Sequence, residues 1–207
     1  MKISFVAAWS LVALSLLAQD VKLGTPVFSG PGCHLDMVSY AHSPNANSLS
    51  MLFSGYTIAA NPYRGSNRTS CEISIPLTIA NSTLLAVDYR GFHDLPDFAI
   101  SGRTMTYSFS DGQQSTRWNT FKGGDIGTDI YTDQLDTFCI GFRILKIALE
   151  HTLFSNSTDR DAQVSLDSID IGATLSPGPK VQVCNSARQI PLVIAGILAG
   201  IASLVAF

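Results

Sequence analysis

The most chemically loaded stretch of this chain is Asp88-Tyr89-Arg90-Gly91-Phe92-His93-Asp94, which sets a carboxylate, a phenol and a guanidinium in consecutive positions. Thr83 to Val87 ahead of it reads as a buried strand that carries the group outward, and Gly91 permits a bend or a bulge there. In the plainest reading Asp88 and Arg90 satisfy each other or nearby backbone groups. In the binding reading Asp88, Tyr89, Arg90 and Phe92, joined by Trp118, form a surface on which a sugar ring could stack. Tyr56, Tyr63 and Tyr131, in or beside expected loops, are further stacking candidates.

Other chemistries lack their spacing. Acid–base cleavage of a glycosidic bond needs two carboxyl groups about 5–9.5 Å apart. Asp88, Asp94, Asp97 and Glu150 are the candidates, and nothing in the sequence pairs them. No G-x-S-x-G elbow or Ser-His-Asp order stands out, so no catalytic residue is assigned. His34, His42, His93 and His151 are scattered without H-x-x-x-H spacing, and are expected to be surface or hydrogen-bonded side chains. Asp159, Asp161, Asp167 and Asp170 lack an EF-hand pattern and read as a solvated loop. Gly123-Gly124-Asp125 has no following Lys and reads as a turn, not a phosphate loop. No metal site and no cofactor is expected.

The ends of the chain indicate a compartment. Residues 1–18 have a positive start at Lys2, an apolar run to Leu17 and a small residue, Ala18, before Gln19-Asp20, which is the layout of a secretory signal. Its apolar run falls short of the roughly 20 residues of a membrane span. At the other end the small residues Asn185-Ser186-Ala187 precede polar Arg188-Gln189 and an apolar tail, Ile190 to Phe207. This resembles a signal for a glycosylphosphatidylinositol (GPI) anchor, with a spacer shorter than the usual roughly 8–12 residues. Attachment is expected at Asn185 or Ser186, with residues 186–207 removed; a true C-terminal span is the alternative.

Between these ends, residues 19–185 suit one domain with a sizeable core. The whole chain has 13 basic and 16 acidic residues. Removing Lys2 and Arg188 with the ends leaves 11 basic against 16 acidic, a net charge of about −5. With no basic run, nucleic acid is not an expected partner. Four cysteines in a secreted chain imply two disulfides. Cys33–Cys71 and Cys139–Cys184 are the favoured pairs of the three possible connectivities. Asn67-Arg68-Thr69, Asn81-Ser82-Thr83 and Asn156-Ser157-Thr158 are N-glycosylation sequons in expected turns.

Period-two alternation dominates this central region. Cys71 to Ile79 alternates apolar with polar residues, and Pro76 within it signals an edge or a bulge. Met105 to Phe109 and Phe138 to Ile144 repeat the pattern. Val164-Leu166 resumes out of phase at Ile169-Ile171, which predicts a bulge. Shorter candidates are Val21–Phe28, Leu35–Tyr40, Leu49–Phe53, Arg117–Phe121 and Val181–Cys184. Ile144 to Phe154 also admits a helical reading. About nine short strands divided by Gly, Pro and Asn turns predict an all-β antiparallel β-sandwich stapled by two disulfides.

Gly32-Cys33, Ser70-Cys71 opening an alternating strand, Val87-Asp88-Tyr89-Arg90-Gly91-Phe92, and Met105 to Gly112 together resemble a family of small secreted fungal and bacterial proteins. That family is known only as domain of unknown function 4360. The resemblance covers roughly Val21 to Cys184 and implies a secreted β-rich domain with no established activity.

The expectation is therefore a non-enzymatic, fungal, GPI-anchored protein of the outer plasma-membrane face or cell wall. Its role would be structural, or weak binding of cell-wall glycans or a surface protein. The alternatives are a carbohydrate-active enzyme with paired carboxylates and a secreted host-interaction factor.

Overall fold

The computed structural model describes residues 21–61, 66–80, 83–137, 139–157, 160–175 and 182–183. The expected signal, Asn81, Cys184, the GPI residues Asn185 and Ser186, and Tyr63 lie outside them. Thirteen strands follow in order: β1 Val21–Leu23, β2 Val27–Ser29, β3 Val38–His42, β4 Ser48–Phe53, β5 Thr57–Ala60, β6 Ser66–Ile79 and β7 Thr83–Leu95. The remainder are β8 Ala99–Phe109, β9 Gln114–Lys122, β10 Asp125–Thr137, β11 Cys139–Ser155, β12 Ala162–Leu175 and β13 Gln182–Val183. One 3-10 turn, Leu35–Met37, interrupts the expected strand Leu35–Tyr40. Among the described residues no helix is long and apolar enough to cross a membrane.

The strands form two sheets, ordered β1-β6-β11-β8-β9 and β10-β7-β12-β4-β3. On the first, β2 also pairs with β6, and β13 runs parallel to the start of β11; on the second, β5 pairs with β12. Every other pairing is antiparallel. Alternation explains the layering. Cys71, Ile73, Ile75, Leu77 and Ile79 of β6 meet Leu85, Val87 and Tyr89 of β7 and Leu166, Ile169 and Ile171 of β12 in one core. A smaller cluster around Leu95, Ala99, Phe121, Leu153 and Val164 fills one end. Each fully buried side chain of this kind contributes about 1.5–3 kcal/mol.

Ile144 to Phe154 is strand throughout, as the middle of the 17-residue β11. Its inward residues Leu145, Ile147, Leu149, His151 and Leu153 are all buried, a period of two that a helix would not bury. The bulge on β12 falls where the phase shift predicts it, between Leu166 and Ser168 opposite Gly91 and Arg90. Gly91 is thus not itself bulged. A Cβ there would lie 2.5 Å from Ser165 O and 2.7 Å from Tyr89 Oη, so glycine is required for close approach. Pro76 sits where its missing N–H is harmless, in the gap between the stretches of β6 paired by β1 and by β2.

Cys33 and Cys71 form the expected disulfide, with Cα atoms 5.5 Å apart. The expected Cys139–Cys184 pair involves a residue outside the described ones. Gln182 is the parallel register partner of Cys139, two positions before Cys184.

Candidate functional site

Strand alternation divides the residues that the sequence sets side by side. β7 is a continuous strand from Thr83 to Leu95, so Tyr89 points inward and is 2% exposed, while Asp88 and Arg90 point outward. On that outer face Asp88 Oδ1 accepts a hydrogen bond from Thr132 Oγ1 of β10, its cross-strand partner, at 2.5 Å. Phe92 is half-buried on the same face. Trp118, 73% exposed on β9, belongs to the other sheet and has the outward phase. Asp88, Arg90 and Phe92, Tyr89, and Trp118 therefore occupy three different places, and no single stacking surface contains them.

The carboxylate candidates separate in the same way. Asp94 lies on the outer face of β7 and pairs with Arg160 Nη1 at 2.6 Å. Glu150 lies on the outer face of β11, paired with Arg68. These two surfaces are on opposite sides of the sandwich. Asp97 is exposed in the turn after β7. Of the histidines, His34 and His42 are exposed and the fully buried His151 is hydrogen-bonded to Tyr89, as expected, while His93 is buried at 4% exposure. Both buried histidines occupy inward phases of long strands. Among the described residues no group of three His, Cys, Asp or Glu side chains is arranged to hold a metal ion.

What the fold does bring together is a polar seam. β9 ends one sheet and β10 ends the other, and a tight turn at Gly123-Gly124 connects them without pairing them. Their inward side chains face each other across the open side of the sandwich. β10 contributes Asp129, Tyr131 and Asp133, and β9 contributes Ser115, Arg117 and Asn119. Beneath them lies Arg103 of β8, 2% exposed. Its guanidinium carbon is 3.9 Å from the centre of the Tyr89 ring and 4.1 Å from that of Tyr131. Arg103 Nη2 donates to Asn119 Oδ1 at 2.9 Å, while Nε and Nη1 have no hydrogen-bond partner. Two aromatic faces thus supply much of what water would give this cation.

At one end of the seam His93 stacks on Phe121 with ring centres 5.0 Å apart. Its Nδ1 is 3.0 Å from Asp129 Oδ1 and its Nε2 is 3.2 Å from Asp125 Oδ2. Both contacts have ion-pair distance but lack hydrogen-bond alignment. Burial holds the Asp129 carboxyl above its usual range, against the opposing pull of His93 and Arg103. Further along, Tyr107 Oη donates to Asp133 Oδ2 at 2.6 Å and Arg117 Nε lies 3.5 Å from Asp133 Oδ1. Burial first, and this hydrogen bond second, push the Tyr107 phenol up, so it stays a donor. The seam then opens into a pocket of about 220 Å³ lined by the polar Gln113, Gln114, Ser115 and Gln134 and by Tyr107, Phe109 and Leu135.

Sequence reasoning missed this site because β10 has inverted alternation. Asp129 and Asp133 face inward while Ile126 and Ile130, 58% and 64% exposed, face out. The available signal was the repeat Asp125, Asp129, Asp133, which places three carboxylates on one face of any strand.

The two described sequon asparagines, Asn67 and Asn156, are exposed. They lie at one end of the domain, since Asn67 pairs with Leu153 three residues before Asn156.

Among solved structures, that of TmCBM61 in complex with beta-1,4-galactotriose matches at 14% identity and a TM-score of 0.36, covering 73% of this chain and 88% of that one. A structure of the infectious bursal disease virus Gx strain matches at 14% identity and a TM-score of 0.39, over 77% of this chain and 34% of the viral one. The active domain of the bacteriophage CBA120 tailspike protein 4 matches at 7% identity and a TM-score of 0.33, over 72% and 19% of the two chains. Similarity this low carries no information on ligands. No curated protein matches the sequence. The family model described as domain of unknown function (DUF4360) matches residues 19–184, and the chain belongs to that family.

Proposed function

We propose that this domain is a non-catalytic extracellular binding module that holds a glycan along the seam between β9 and β10, displayed at the cell surface or wall by a C-terminal lipid anchor. The seam carries the reading. It lies between two edge strands that do not pair with each other and opens at one end into a pocket, with hydroxyl, amide and carboxylate groups and tyrosine rings along it, which is the chemistry that sugar hydroxyls and ring faces recognise. Each of its two inward carboxylates is held by partners inside the domain. Asp133 is held by Tyr107 and Arg117, and Asp129 by His93.

The position of the last strand supports display. β13 runs alongside the start of β11, whereas Asn67 and Asn156 lie at the other end of that strand, roughly 50 Å away at a rise of about 3.3 Å per residue. A tether following β13 would leave the sequon end outermost. The test is to present the secreted chain with wall glycans and score both retention and cleavage products. Retention without products, weakened by Asn119→Ala, is the expected result; products, or retention indifferent to every seam substitution, would overturn it. Inositol-specific phospholipase should release the protein from membranes, and its retention there would refute the anchor.

A further inference from the structure

At the sequon end, one turn holds a large apolar side chain out into solvent. Pro96-Asp97-Phe98-Ala99 links β7 to β8, closed by Ala99 N–H donating to Pro96 O at 3.1 Å. Phe98 stands at φ 64° and is 79% exposed. This is the third position of the turn, where positive φ is ordinarily supplied by Gly or Asn, and a bulky residue there is an outlier. The turn is fixed from two sides. Asn156 N–H donates to Phe98 O at 3.2 Å, and Gly123 packs so closely that a Cβ on it would lie 2.3 Å from Pro96 O. Phe98 is therefore pinned in an exposed, unfavourable conformation. Such strain at a well-fixed position is a mark of function.

Two more apolar side chains stand beside it. Ile100 and Phe154 are cross-strand partners on the outer face of β8 and β11, 49% and 48% exposed. Side chains directly opposite each other on one face are about 5 Å apart and form a continuous surface. Phe154 precedes Asn156 by two residues, and Asn156 is bonded through its backbone to Phe98. Backbone hydrogen bonding, strand register and sequence thus place all three apolar residues near an exposed asparagine that heads the sequon Asn156-Ser157-Thr158.

We infer that Phe98, Ile100 and Phe154 are the seat of the N-linked glycan carried by Asn156, whose first sugar residues lie with their C–H faces on this patch. This rests on the reading that the chain passes through the secretory route. The occupant follows from position: a glycan on Asn156 begins beside these three side chains, and a hexosamine ring offers an apolar face of matching size. Asn67 supplies an internal control. It is exposed at the same end, but its cross-strand partner Leu153 is buried and points inward. Its Nδ2 donates to Ala59 O at 3.0 Å, so that side chain is anchored by a polar contact instead.

The experiment uses the full chain secreted from a eukaryotic host, with site occupancy mapped by mass spectrometry and enzymatic deglycosylation followed under native conditions. Asn156 should be occupied, and its glycan should be released at least tenfold more slowly from the native protein than from the denatured one. Phe98→Ser and Phe154→Ser, with circular dichroism confirming the fold, should each speed native release at Asn156 and leave release at Asn67 unchanged. Binding of an apolar dye should rise once the Asn156 glycan is removed. Equal release rates in wild type and both variants would overturn the inference, as would an unmodified Asn156 beside an occupied Asn67. All sequons bare on the secreted protein would overturn it and leave the secretory reading standing, whereas a chain that never enters the secretory route would overturn both, so the two failures are distinguishable.

Discussion

Tyr89 Oη and His151 Nε2 lie 3.3 Å apart at the centre of the molecule, joining β7 of one sheet to β11 of the other through a hydrogen bond that crosses the core. Neither side chain reaches solvent, and Arg103 covers the Tyr89 ring from the seam side. The polar seam is therefore built on a polar connection running through the sandwich. Loss of the Tyr89 hydroxyl leaves a buried imidazole nitrogen without its partner. Tyr89→Phe should lower stability by about 1–2 kcal/mol, and Tyr89→Ala by about 3–5 kcal/mol with the cavity added. Urea unfolding followed by tryptophan fluorescence checks both values; a wild-type midpoint in Tyr89→Phe would show that the contact contributes nothing.

The same pair sets an acid limit. Burial, and secondarily the nearby Arg103 cation, push the His151 imidazole down to about 3 from its usual 6.5. The folded state thus refuses a proton that the unfolded chain accepts. The stability this neutral histidine permits is fully present above pH 6.5 and is lost as pH falls from there towards 3. The slope can reach about 1.4 kcal/mol per pH unit, one proton's worth. Asp129 acts in the opposite sense: with its carboxyl held up by burial, the folded state protonates it first, so its contribution grows as pH falls towards 3.8. His151→Phe should flatten the acid limb between pH 6 and 4, and Asp129→Asn should steepen it. Urea midpoints across that range decide; an unchanged limb in His151→Phe would remove the histidine from the account.

The sandwich was legible in the sequence because its central strands obey one rule. β6, β8 and β11 alternate apolar with polar residues, and even the β12 bulge announced itself as a lost phase. Failures came where local pattern and tertiary position disagree. Thr57–Ala60 is too short to stand out, and Val21–Phe28 breaks into β1 and β2 at Gly24-Thr25-Pro26. β10 hides its polar residues and exposes its isoleucines because it is an edge strand facing a polar gap. Asp88, Tyr89 and Arg90 are neighbours in sequence, but consecutive strand residues point to opposite faces, so adjacency there separates functional groups.

Disulfide mapping tests the second half of the chain. Non-reducing peptide maps should show Cys33 linked to Cys71, as in the structure, and Cys139 linked to Cys184. The second link is the pairing expected from the cysteine count of a secreted chain, and β13 brings the chain beside the start of β11 just before Cys184. A free thiol at Cys139 would refute it. Replacing Cys33 and Cys71 together by Ser should cost about 2–4 kcal/mol, chiefly by releasing the unfolded chain.

The seam and the exposed tryptophan make opposite demands on a binding experiment, and this separates the two readings of the aromatic residues. Trp118 and Asn119 are adjacent on β9, yet Trp118 faces outward while Asn119 faces the seam and accepts a hydrogen bond from Arg103. If ligand lies in the seam, Asn119→Ala and Tyr131→Ala should each weaken glycan retention about tenfold, which corresponds to about 1.4 kcal/mol. Trp118→Ala should then change retention less than twofold. Asn119→Ala also frees a donor of buried Arg103, so its thermal stability must be measured alongside. Gln134→Ala, exposed at the pocket mouth with no core role, serves as the variant whose fold is not in question. Weakened retention in Asn119→Ala, Tyr131→Ala and Gln134→Ala together would place the ligand in the seam. Loss confined to Trp118→Ala would move the site to the outer face of the β9 sheet.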